Sequence, residues 1–84
     1  MPYIKPEARP EIDNVLERLD LWIKDPGNLN YFITKVVNSV WQAEPRYTTI
    51  ATVTGVLENV KQEFYRRVAV PYEDGKIAEN GDVY

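Results

Sequence analysis

The sequence predicts an all-α protein: a three-helix core with the third helix longest and central, an extended N-terminus and a turn-rich C-terminal tail. Three observations carry this. Apolar residues recur at helical spacing, most regularly at Ile50, Val53, Leu57, Val60, Phe64 and Val68, the i, i+3, i+4, i+7 stripe of one helix face. Prolines at 10, 26, 45 and 71 punctuate the chain where such stripes begin or stop. The length of 84 residues fits one small domain, read as an arm (1–9), a helical core (10–70) and an acidic tail (71–84).

Residues 1–9 hold Pro2 and Pro6 around Tyr3-Ile4 and are expected to be extended, with Tyr3 and Ile4 docking on the body. Pro10 suits the first turn of a helix, and Glu11 and Asp13 sit near its positive end. Ile12, Val15, Leu16, Leu19, Trp22 and Ile23 continue that helix to about Lys24, with Asp20 and Lys24 as an i, i+4 pair. Asp25-Pro26-Gly27 reads as a stop.

A second helix is expected from Asn28 or Asn30, either of which can cap it. Its stripe is Leu29, Phe32, Ile33, Val36, Val37, Val40 and Trp41. The β-branched residues also suit a strand, but spacing and length favour a helix. Glu44-Pro45 ends it. Core positions are expected for Trp22 and Trp41.

The third helix is expected from a Thr48 or Thr49 cap to Val70, before Pro71. Gly55 lies opposite the apolar stripe, beside Thr48, Ala51, Thr52 and Asn59. This second face is small and uncharged. Either the glycine is simply tolerated, or another helix approaches there; the second reading makes Thr48, Thr52, Gly55 and Asn59 an oligomer interface. Beyond it, Glu73-Asp74-Gly75-Lys76 and Glu79-Asn80-Gly81-Asp82 are turn signals. Asn80-Gly81 invites a short hairpin pairing Ile77 and Ala78 with Val83 and Tyr84, provided these side chains pack on a body.

Composition narrows the chemistry. The chain lacks cysteine and histidine, removing thiolate chemistry, the commonest general base and the commonest transition-metal ligand. Of ten basic and thirteen acidic side chains, one and four fall in residues 71–84, so residues 1–70 are neutral and the tail is acidic. No basic stripe marks a duplex nucleic-acid binder. The N-terminus lacks a signal-peptide pattern and no segment approaches the ~20 apolar residues of a membrane span; a cytoplasmic location is expected.

Lys61, Tyr65, Arg66, Arg67 and Tyr72 form the most pointed cluster. Arginine recognises phosphate in a bidentate way, and tyrosine adds a stacking face and a hydroxyl. The competing reading pairs Glu63 with Arg66 or Arg67, and Glu58 with Lys61. Asn28, Asn30 and Tyr31 offer either caps or an anion site at a helix start. The tail carboxylates do not match a calcium loop. Glu58 and Glu63 stand five apart on different faces, and Arg9, Arg18, Arg46 and Arg67 are scattered. No catalytic centre, cofactor or metal site is therefore expected.

The run from Gly55 to Tyr84, with blocks Glu63-Phe64-Tyr65-Arg66-Arg67, Pro71-Tyr72-Glu73-Asp74 and Glu79-Asn80-Gly81-Asp82-Val83-Tyr84, together with residues 1–13 and 27–34, resembles a family of small uncharacterised proteins encoded by tailed bacteriophages and by some bacteria and archaea. The likeness spans nearly the whole chain. It implies a viral or mobile-element setting and no mechanism. Small phage proteins without catalytic residues are often binders. The expectation is a non-enzymatic, homo-oligomeric binding protein for an anionic ligand, such as a nucleotide signal of host defence, in the host cytoplasm. The alternative is a structural or adaptor protein that meets a host or viral protein.

Overall fold

Proline placement decides where the helices start. In the computed structural model, which describes residues 4–84, the chain is all-α with three helices and no strand among the described residues. Helix α1 is Arg9–Leu19 and α2 is Pro26–Ala43. The third, longest helix runs 34 residues, from 47 to 80. It comprises α3 (Tyr47–Phe64), a π-helical turn (Tyr65–Ala69) and α4 (Val70–Asn80). Two units, Met1–Thr49 and Ile50–Tyr84, are described in turn.

In the first unit helical structure begins earlier than expected. A 3₁₀ turn at Pro6–Ala8 already leads into α1, and Arg9 donates from Nε and Nη2 to the Ile4 carbonyl at 3.2 and 3.1 Å. Pro2 and Tyr3 lie outside the described residues. Helix α1 ends at Leu19, and Asp20 and Lys24 pair at 3.1 Å in the turn that follows.

Asp25-Pro26 starts α2 instead of only stopping its predecessor. Pro26 takes the first helical position, where a missing N–H is harmless. The Asp25 carboxylate accepts from the Asn28 N–H at 3.2 Å. Asn28 and Asn30 thus lie inside the helix and cap nothing; Asn30 accepts from the Thr34 hydroxyl. Helix α3 likewise begins before its expected cap, at Tyr47. Thr49 turns its hydroxyl back to the Glu44 carbonyl and is the one buried residue among those described.

The second unit departs most from expectation. The helix does not stop at Pro71, and residues 71–80 form neither a turn-rich tail nor a hairpin. A proline inside an α-helix lacks one donor and clashes with the carbonyl four residues back. Here a π-turn precedes it: the Val70 N–H bonds to the Tyr65 carbonyl, five residues back. That shift gives α4 a new first turn, and Pro71 occupies it. The helix stops instead at Gly81. Its φ of +85° is open to glycine and strained for other residues, and its N–H closes on the Ile77 carbonyl at 2.9 Å.

The apolar stripes form as their spacing predicts, yet no hydrophobic side chain is buried among the described residues. Leu57 is 41% exposed, Phe64 62% and Trp22 67%; Phe32, Val37, Trp41 and Val53 are half-buried. The core expected for Trp22 is absent.

The cap assignment is testable by chemical denaturation at fixed protein concentration. Asp25→Ala should cost about 1 kcal/mol, whereas Asn28→Ala should change stability by less than about 0.5 kcal/mol.

Candidate functional site at the π-helical turn

The five residues of the expected ligand site all lie on the long helix, around its π-turn. Glu63, one turn before Arg66 and Arg67, collects both guanidiniums: Arg66 Nη2 at 2.6 Å and Arg67 Nε at 2.5 Å. Its side chain is 21% exposed beneath them, while theirs are about two-thirds exposed. Lys61 reaches a different carboxylate, Glu58, at 3.8 Å. The helix thus brings the two arginines to one point and turns Lys61 elsewhere.

Tyr65 and Tyr72 are engaged downstream. The Tyr65 hydroxyl donates to Glu73 Oε1 at 3.1 Å. These residues are eight apart, which overshoots two α-helical turns by about 80°. The extra residue in the π-turn lets the contact close. The Glu73 hydrogen bond and negative charge raise the Tyr65 pKa above 10.0, because ionisation would lose the donated proton and set two anions side by side. Lys76 Nζ lies 5.6 Å from the centre of the Tyr72 ring, in cation–π range.

Glu73 and Lys76 were not foreseen as members of this cluster. Their placement depends on the helix passing Pro71, which proline chemistry argues against. The Glu63 pairing, by contrast, is ordinary i, i+3 and i, i+4 spacing. Taken alone, the surface of one helix is convex. Its exposed ion pairs contribute roughly 0–1 kcal/mol each, so a stronger anion could displace Glu63 from the arginines.

Thr48, Thr52, Gly55 and Asn59 are exposed along α3. A Cβ built on Gly55 meets nothing within 4 Å among the described residues of its unit. Among the described residues no group of three or more acidic, histidine or cysteine side chains could hold a metal ion. No helix among them is long and apolar enough to cross a membrane.

The Tyr65–Glu73 contact has a pH signature. A raised phenol pKa stabilises the folded state below the ordinary value of 10.0. That contribution is lost as pH rises through the higher folded value. NMR titration of ring-labelled tyrosine should show Tyr65 returning to about 10 in Glu73→Ala; an unchanged titration would remove the contact.

No curated protein and no solved structure matches the chain significantly. A family model matches residues 1–83, described as a domain of unknown function, DUF6899. The match covers nearly every element described above, from the arm to the end of the long helix. The chain therefore belongs to the DUF6899 family.

Proposed function

We propose that this chain is a non-enzymatic association protein, a structural or adaptor module whose apolar helix faces are completed by another protein surface. The observation that carries this reading is the open stripe of the long helix, from Ile50 to Phe64. Fixing a residue's backbone costs about 1–2 kcal/mol, and buried apolar side chains supply the main compensation, about 1.5–3 kcal/mol each. Helices shorter than ~12–15 residues are marginal in water by themselves. Helix α1 has 11 residues. The amphipathic pattern is present and neither unit buries it by itself, which is what a partner surface would supply.

A second reading rests on a different observation. Arg66 and Arg67 stand exposed on a π-turn, a backbone irregularity frequent at functional sites. With Lys61, Tyr65 and Tyr72 nearby, an anionic ligand that displaces Glu63 fits this chemistry. In the viral setting that the sequence resemblance implies, such a ligand would be a nucleotide signal.

Two experiments separate them. Leu57→Asp, which places a charge in the stripe, should abolish association in sedimentation velocity and reduce helical circular dichroism. A wild-type protein that sediments as a monomer and melts cooperatively would remove the first reading. For the second, a nucleotide at ~100 times its dissociation constant should add ~2.7 kcal/mol of apparent stability, a shift of several degrees. Arg66→Ala should abolish that shift without lowering the melting temperature. Silence across a nucleotide and cyclic-nucleotide panel would remove it.

A further inference from the structure

We propose that Asn80-Gly81 is a self-modification site, where the chain converts its own asparagine to aspartate and isoaspartate at a rate set by the end of the long helix. The proposal is independent of both readings of function. Water is its only co-reactant, and its reacting atoms lie in two adjacent residues of one unit.

The first argument is the sequence around the amide. The Gly81 nitrogen attacks Asn80 Cγ and closes a five-membered imide, while the Cγ–Nδ2 bond breaks and ammonia leaves with the Gly81 proton. Water then opens the ring. Opening at Cγ leaves aspartate in an ordinary backbone. Opening at the main-chain carbonyl leaves isoaspartate, with the backbone routed through Cβ and Cγ. A side chain on the following residue hinders the attack, and glycine has none. Of Asn14, Asn28, Asn30, Asn38, Asn59 and Asn80, only the last precedes a glycine.

The second argument is position. Asn80 is the last residue of α4, and both it and Gly81 are exposed. Ring closure requires ψ of Asn80 to leave the helical value of about −42°, so that the next nitrogen comes behind Cγ. That nitrogen is tied: the Gly81 N–H donates to the Ile77 carbonyl at 2.9 Å. One hydrogen bond thus ends the helix and holds the nucleophile. Terminal turns open at little cost, whereas interior ones open only with the cooperative unit around them. Asp74-Gly75 supplies the contrast. It can close the same ring by losing water, but it lies inside α4 and stays held there.

The third argument is the consequence. The new carboxylate joins Glu79 and Asp82 at the C-terminal end of the helix, where the backbone dipole disfavours negative charge. Lys76, the one cation in residues 71–84, already pairs with Glu79 at 3.3 Å. Isoaspartate also adds a backbone carbon, which puts the Gly81 N–H out of register with the Ile77 carbonyl. Modification therefore unwinds the turn that restrained it, and the loss of ammonia makes the change one-way.

The full chain, incubated in mildly alkaline buffer with and without urea, tests this by peptide mass spectrometry and an isoaspartate-specific methyl-transfer assay. Asn80 should lose ammonia before any other asparagine and give both products, and urea should speed the loss severalfold. Asp74 should isomerise in urea and stay unchanged in buffer. Ala78→Gly keeps the Asn-Gly pair and weakens the last turn, so the lower helix propensity of glycine should raise the rate in buffer by about fourfold. Products spread over several asparagines, or an intact Asn80 throughout, would overturn the site. Reaction at Asn80 with one rate in buffer, in urea and in Ala78→Gly would overturn control by the helix end.

Discussion

The structure turns on apolar helix stripes that neither described unit buries by itself. Its helices have the apolar stripes, caps and turn residues that locate helices in water. Within each unit the contacts that usually hold them are few: Ile50, Leu57, Val60 and Phe64 are substantially exposed, and the one buried residue among those described is a threonine fixed by a backbone hydrogen bond. Local interactions of the kind seen here contribute tenths to about one kcal/mol each. Those magnitudes position helices and do not stabilise a domain against chain entropy. On the association reading proposed above, a partner surface supplies the remaining burial.

The π-turn is where local chemistry and the longer pattern meet. Pro71 demands an interruption in the hydrogen-bond ladder, and a stripe advancing by fours demands an extra residue. One device satisfies both. It also aligns Tyr65 with Glu73, whereas the Glu63 pairs of Arg66 and Arg67 follow from ordinary helical spacing. Of the residues that look like an anion site, Tyr65 is the one whose contact depends on this turn.

Much of the secondary structure was legible in the sequence: three helices in order, the third longest, and the Asp20–Lys24 and Glu63–arginine pairs. Proline caused most departures. Asp25-Pro26 is at once the end of one segment and the cap and first residue of the next, and Pro71 reads as a stop because a π-turn has no single-residue signature. Asn80-Gly81 illustrates a related ambiguity, since a glycine at positive φ serves a hairpin turn and a helix end equally well. For the site, near neighbours were predictable from i, i+3 and i, i+4 spacing, whereas Tyr65–Glu73 was not, because its eight-residue reach exists only with the bulge. Periodicity revealed which faces are apolar. It does not encode whether the surface covering them lies within the chain.

The most direct measurement is the melting temperature and helical signal of the wild-type chain across a ~100-fold dilution series, since stability gained by association depends on protein concentration. The account predicts that both fall as the protein is diluted. A melting temperature and ellipticity that stay constant across the series would contradict it, because the helices would then be held by contacts within a single chain.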